Sequence, residues 1–78
     1  MRKLQLELGL KIRRLRKDKG LSQEAFASLA EIDRTYIADI EAGKRNISLH
    51  VIERLTVALG LSLAELFEGL GNREEGSD

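Results

Sequence analysis

The sequence predicts an all-α domain of five helices, and three observations carry that prediction. Four times in 78 residues a large apolar residue stands just before a Ser or Asp, with another apolar residue four positions after it. That is the pattern of a hydrophobic staple closing over an N-cap. Glycines at 20, 43 and 60 stand just past periodic segments, where Gly takes the left-handed C′ conformation without Cβ strain. There is no proline, and no segment alternates polar and apolar residues as a half-buried strand would.

Taken in order, α1 is predicted over about residues 5–19, with Leu8, Ile12 and Leu15 forming one apolar stripe and Gly20 ending it. Leu21, Ser22 and Phe26 start α2, about 23–30, whose stripe is Phe26, Leu29 and Ala30. Ile32, Asp33 and Ile37 start α3, about 34–42, with Ile37 and Ile40 inward and Gly43 after it. Ile47, Ser48 and Ile52 start α4, about 49–59, with Ile52, Leu55 and Leu59 inward and Gly60 after it. Leu61, Ser62 and Leu66 start α5, about 63–70, where Glu65 completes a Ser-x-x-Glu capping box. Its stripe is Leu63, Leu66, Phe67 and Leu70. Residues 1–71 read as one domain and 72–78, NREEGSD, as a polar tail.

Composition narrows the function. With no cysteine, neither a disulfide nor a thiolate metal site is available, as expected of a reducing cytoplasm. No apolar run approaches the roughly 20 residues of a membrane span, and the N-terminus lacks a signal-peptide core, so a soluble intracellular protein is expected. The net charge of zero conceals a gradient: +6 over residues 1–20, −2 over 21–47 and −4 over 48–78. His50 has no second ligand at metal spacing, and there is no nucleophile-base pair or phosphate-cradling glycine loop. The sequence therefore points away from an enzyme and calls for no metal or cofactor. A membrane-surface role for basic α1 is disfavoured because that helix has no aromatic anchor.

The informative stretch is DRTYIADIEAGKRN, residues 33–46. Only Glu31 to Asp33 join α2 to α3, the length of a helix-turn-helix connection, which crosses the axes steeply and displays the first turn of the second helix. Here the chain resembles the repressor and Cro-like (XRE-type) helix-turn-helix family over roughly residues 8–68. Gln23 stands at the motif's first position, Ala27 at its small contact position, and Ile32, Ile37 and Ile40 at its core positions. More narrowly, LSQEAFASLAEIDRTYIADIEAGKRNIS resembles the controller proteins of restriction-modification systems, in which D-R-T-Y-I and a following R-N are typical. One departure is Glu31, at the turn position that Gly usually fills, where a Cβ in left-handed backbone costs on the order of 1 kcal/mol.

The resemblance implies a sequence-specific transcriptional regulator, binding double-stranded DNA as a homodimer at an inverted repeat. In this fold the first turn of α3 meets base edges, which makes Arg34 and Thr35 base readers, through guanine O6/N7 and the thymine methyl. Tyr36 is divided between DNA contact and packing over α2. Ser22 and Gln23 at the start of α2, and Lys44, Arg45 and Asn46 after α3, are expected at the DNA backbone. Arg16 and Glu41 match positions that form an ion pair between α1 and α3 in relatives, and are read as structural. Asp39 faces the groove side by spacing, but phosphate repulsion favours a role within the protein. Lys3, Lys11, Arg13 and Arg14 are expected to be mostly solvated. Leu63, Phe67 and Leu70 are the dimer candidates, because α5 carries more apolar surface than capping a small core requires. Glu24 aligns with an acidic position that touches RNA polymerase in relatives, and Glu31 lies near it. The controller resemblance also implies autoregulation, activating at one site occupancy and repressing at another. The alternative is an antitoxin-type or prophage repressor that binds its own promoter and a partner protein.

Overall fold

The computed structural model describes residues 2–71, so the expected polar tail, 72–78, lies outside the described residues. Among them the secondary structure is five α-helices: α1 Arg2–Asp18, α2 Gln23–Ala30, α3 Arg34–Glu41, α4 Leu49–Leu59 and α5 Leu63–Phe67. Each of the last four starts as its sequence dictates. The side chains of Ser22, Asp33, Ser48 and Ser62 accept from backbone N–H groups of the first turn, and Ser62 and Glu65 form the reciprocal capping box. The staple residues before the caps, Leu21, Ile32, Ile47 and Leu61, pack half-buried against the core.

That core is Leu8, Ile12, Phe26, Ala27, Ala30, Ile37, Ile40, Ile52, Leu55, Leu59 and Leu66. α3 lies between α1 and α2, α4 packs on α2, and α5 closes the far side against α4 and α1. The short α2 and α3 thus bury their backs, and the first turn of α3 faces outward. Gly9, in the middle of α1, permits the α1–α3 contact: a Cβ there would lie 2.3 Å from the Ile40 carbonyl oxygen and 2.9 Å from that of Glu41. Nothing in the sequence periodicity marks this approach.

Four expectations need correction. α1 begins three residues earlier than expected, at Arg2. α5 ends at Phe67 and not near residue 70, because Glu68 is extended at ψ 127° and Gly69 turns left-handed at φ 83°. Leu70 therefore lies beyond the helix, half-buried against the core. Leu29, placed on the α2 core stripe, is 58% exposed, since a helix packed on two neighbours over eight residues covers only a narrow arc. Finally, Lys11 is not simply solvated: its ammonium donates to the carbonyls of Glu65 at 2.9 Å and Glu68 at 2.7 Å, satisfying the end of α5.

The turn between α2 and α3 is built as its departure from glycine required. Glu31 is left-handed, at φ 58° and ψ 46°, the one non-glycine residue with positive φ among the described residues. Its carbonyl accepts from Arg54 Nη1 at 2.8 Å, and its N–H donates to the Ser28 carbonyl, so neighbouring groups hold the strained residue in place.

Candidate nucleic-acid interface

Asp33 sets the start of α3. Its backbone is extended and its Oδ2 accepts from the Thr35 N–H at 3.1 Å, while Ile32 before it tucks against the core. Arg34 and Thr35 come next and are both exposed, on a turn whose rear residue, Ile37, is fully buried. Thr35, two residues before Ile37, lies on the opposite side of the helix, whereas Arg34 shares the Ile37 side by spacing and is exposed because it begins the helix, where the first turn stands clear of the core. Tyr36 is divided, half-buried with its ring against the core and beneath the Arg45 guanidinium, 4.5 Å from guanidinium carbon to ring centroid.

At the other end of α3 lies the charged pair expected from the family pattern. Arg16 is buried, with Nε donating to Glu41 Oε2 at 2.7 Å and Nη2 to Glu41 Oε1 at 3.0 Å. Its Nη1 donates to the Leu21 carbonyl at 2.7 Å, so one planar group ties α1 to the end of α3 and to the entry of α2. The hydrogen bond to Glu41 raises the Arg16 pKa above its ordinary value, outweighing the effect of burial, and the guanidinium stays charged.

Gln23 is part of the same network. Its Nε2 donates to Glu41 Oε1 at 3.2 Å, which sequence reading did not anticipate for a residue expected only at phosphate. The contact uses one of its two amide hydrogens. Ser22 Oγ accepts from the Ala25 N–H at 3.0 Å, which leaves the hydroxyl hydrogen for another acceptor. The N–H groups of Gln23 and Glu24, in the first turn, have no acceptor within their own helix. The start of α2 therefore presents a small group of donors held in place from behind.

The loop after α3 is more ordered by side chains than a solvated loop would be. Arg45 Nε donates to Asp39 Oδ2 at 3.2 Å, which settles Asp39 in favour of a contact within the protein. Asn46 Oδ1 accepts from Gln5 Nε2 of α1. Lys44 is exposed. Sequence reasoning missed both pairings: Asp39–Arg45 spans a helix end, and Gln5–Asn46 joins residues 41 positions apart.

On the far side, α5 leaves Leu63 50% and Phe67 36% exposed, while Leu66 is fully buried. Phe67 also lines an open cleft of about 250 Å³ with Leu4, Leu8, Ile47 and Ile52. The apolar excess thus falls on Leu63 and Phe67, and Leu70 contributes less than its sequence position implied. Glu24 and Glu31 are exposed, the latter with its carboxylate 3.7 Å from Arg54. His50 is exposed, and among the described residues no His, Asp and Glu cluster could hold a metal. Among those residues, no helix is long and apolar enough to cross a membrane.

The comparisons with known proteins agree with this architecture. Residues 12–66 match the family model described as Helix-turn-helix. Control protein C.MunI of Mycoplasma sp. is 45% identical over 71 residues, spanning 90% of this chain and 96% of that protein. The crystal structure of the restriction-modification controller protein C.AhdI of Aeromonas hydrophila superposes with a TM-score of 0.79 at 44% identity, covering 81% of this chain and 96% of that one. A tetramer of the controller protein C.Esp1396I in complex with its natural 35 base-pair operator superposes with a TM-score of 0.78 at 34% identity, covering 83% and 86%. The chain belongs to the helix-turn-helix family, and within it to the controller proteins of restriction-modification systems.

Proposed function

We propose that this protein is a sequence-specific transcriptional regulator of a restriction-modification system, acting on DNA in the cytoplasm and without catalytic activity of its own. Two copies bind an inverted repeat, each laying the first turn of α3 in the major groove. The observation that carries this reading is the first turn of α3: Arg34 and Thr35 project into solvent from a helix whose other face is fixed by Ile37, Ile40 and the buried Arg16–Glu41 pair. The operator complex of C.Esp1396I supports it. Arg34 and Thr35 read base edges, with Tyr36 beside them, and Ser22, Gln23, Lys44, Arg45 and Asn46 approach the flanking backbone. Glu24 and Glu31, both exposed, are our candidates for contact with RNA polymerase.

The test is selection of duplexes by the purified protein from a random pool, which should return an inverted repeat with half-sites about 10 bp apart. A pool returned without a shared motif would refute the reading. Arg34→Ala should then cost about 1 to 3 kcal/mol on the selected duplex and relax preference at one position per half-site. Gln23→Ala, by contrast, should weaken binding to selected and random duplexes alike, because a phosphate contact carries no sequence information. Equal losses on both duplexes for Arg34→Ala, with base preferences intact, would remove Arg34 from the groove.

The dimer is assigned to Leu63 and Phe67. Leu63→Asp should give a folded monomer by sedimentation, with an unchanged helical spectrum and weak operator binding, since Leu63 is half-exposed in the single chain. Leu70→Asp is a poorer test than its sequence position implied, because Leu70 packs on the chain's own core. A Leu63→Asp variant that still sediments as a dimer would place the interface elsewhere.

A further inference from the structure

A carboxylate on the DNA-facing helix works against binding a polyanion, and Asp39 is such a group, partly exposed on the last turn of α3. What it does instead is visible in its contact. Asp39 Oδ2 accepts from Nε of Arg45 at 3.2 Å, and Nε is the one guanidinium N–H that lies outside the terminal fork. The four N–H groups of Nη1 and Nη2, the pair able to grip a phosphate or a guanine edge with two bonds, have no hydrogen-bond partner among the described residues. The Tyr36 ring takes one face of the same guanidinium, 4.5 Å from its centroid. Tyr36 and Asp39 stand three residues apart on α3, the spacing that puts two side chains side by side on a helix surface.

Arg45 is therefore clamped at one edge and on one face, and both halves of the clamp belong to the recognition helix. From these contacts we infer that Asp39 is a positioning residue for DNA recognition: it aims the Arg45 fork from α3 and makes that contact depend on α3 sitting in register. The inference rests on the DNA-binding function proposed above. An unclamped arginine on the 43–46 loop would swing among rotamers and find a phosphate on any duplex. A clamped one meets its phosphate or groove edge only when the bases have fixed the helix in place. Pairing with Asp39 also cancels much of the long-range attraction that Arg45 would otherwise lend to random DNA.

The experiment compares affinity for the duplex that the wild-type protein selects with affinity for a scrambled duplex of the same length. It uses Asp39→Ala, Asp39→Asn, Arg45→Ala and the double variant Asp39→Ala/Arg45→Ala, each checked for an unchanged melting temperature. Asp39→Ala should lower the selected-to-scrambled ratio by about 5- to 10-fold, with scrambled binding tightened. Asp39→Asn removes the charge but keeps a carbonyl oxygen for Nε, so its ratio should stay within about 2-fold of wild type even as binding to both duplexes tightens. In the Arg45→Ala background, Asp39→Ala should change the ratio no further. A ratio unaffected by Asp39→Ala, or lowered equally without Arg45, overturns the positioning role while leaving the proposed function intact. A wild-type protein with no preference between the duplexes overturns both.

Discussion

Arg16→Ala is expected to destabilise the fold by about 3 to 5 kcal/mol while leaving the preferred DNA sequence unchanged. The magnitude follows from burial: Arg16 is 7% exposed and Glu41 8%, so removing the guanidinium strands a carboxylate with Gln23 as its remaining side-chain partner. It also orphans the Leu21 carbonyl at the entry to α2. For a domain of this size each kcal/mol shifts the melting temperature by roughly 4 to 8 °C, so the variant should melt well below wild type. Removing both charges together, as Arg16→Met with Glu41→Leu, should recover much of the loss, because the cost lies in the unpaired charge more than in the missing pair. The raised pKa of Arg16 has a defined consequence for pH. A group whose folded pKa lies above its unfolded value contributes below that value and loses the contribution only above it. For arginine that window is strongly alkaline, so no loss on this account is expected near neutrality. Thermal melts of the two variants and wild type, beside operator binding, check these outcomes. A melting temperature unchanged by Arg16→Ala, with binding lost, would move Arg16 to the DNA backbone.

What could be read from the sequence divides by the distance over which each signal acts. The starts of α2 to α5 were legible because a cap and a staple are encoded within six residues, and Ser22, Asp33, Ser48 and Ser62 all accept as expected. Left-handed Glu31 was legible for the same reason, as the residue forced into the turn between two placed helices. The Arg16–Glu41 pair, 25 residues apart, could be anticipated only through the family pattern. The end of α5 was not legible: its last carbonyls are taken by Lys11, more than fifty residues earlier, and apolar periodicity alone carried the helix too far, to Leu70. In the candidate interface, sequence placed Arg34 and Thr35 outward correctly. It missed how their neighbours are held, because Gln23 to Glu41, Arg45 to Asp39 and Asn46 to Gln5 join surfaces that only the packing of α1 against α3 brings together. Gly9 was passed over altogether, since a lone glycine in a helical stretch says nothing about what lies opposite it.

Gly9→Ala should therefore be strongly destabilising, at a position where helix propensity alone gives the opposite sign. Alanine in a helix interior is favoured over glycine by about 1 kcal/mol. Here the added methyl would sit 2.3 Å from the Ile40 carbonyl oxygen and 2.9 Å from that of Glu41, and both are backbone atoms that no rotamer change can move. α1 would have to draw back from α3, thinning the contact among Leu8, Ile12 and Ile40 and pulling Arg16 from Glu41 along the same pair of helices. Because the clash is with backbone, the cost falls at the upper end of the usual overpacking range, about 3 kcal/mol, which after the propensity gain leaves a net loss of about 2 kcal/mol and a fall of roughly 10 °C in melting temperature. Gly20→Ala supplies the contrast. Its Cβ would meet nothing within 4 Å, but the residue is left-handed at φ 73°, so its cost is backbone strain of about 1 kcal/mol with the α1–α3 contact preserved. Because α3 carries Arg34 and Thr35, Gly9→Ala should also weaken operator binding at temperatures where the variant is still folded, whereas Gly20→Ala should not. A Gly9→Ala variant that melts at or above the wild-type temperature would show that α1 and α3 stand farther apart than this geometry places them.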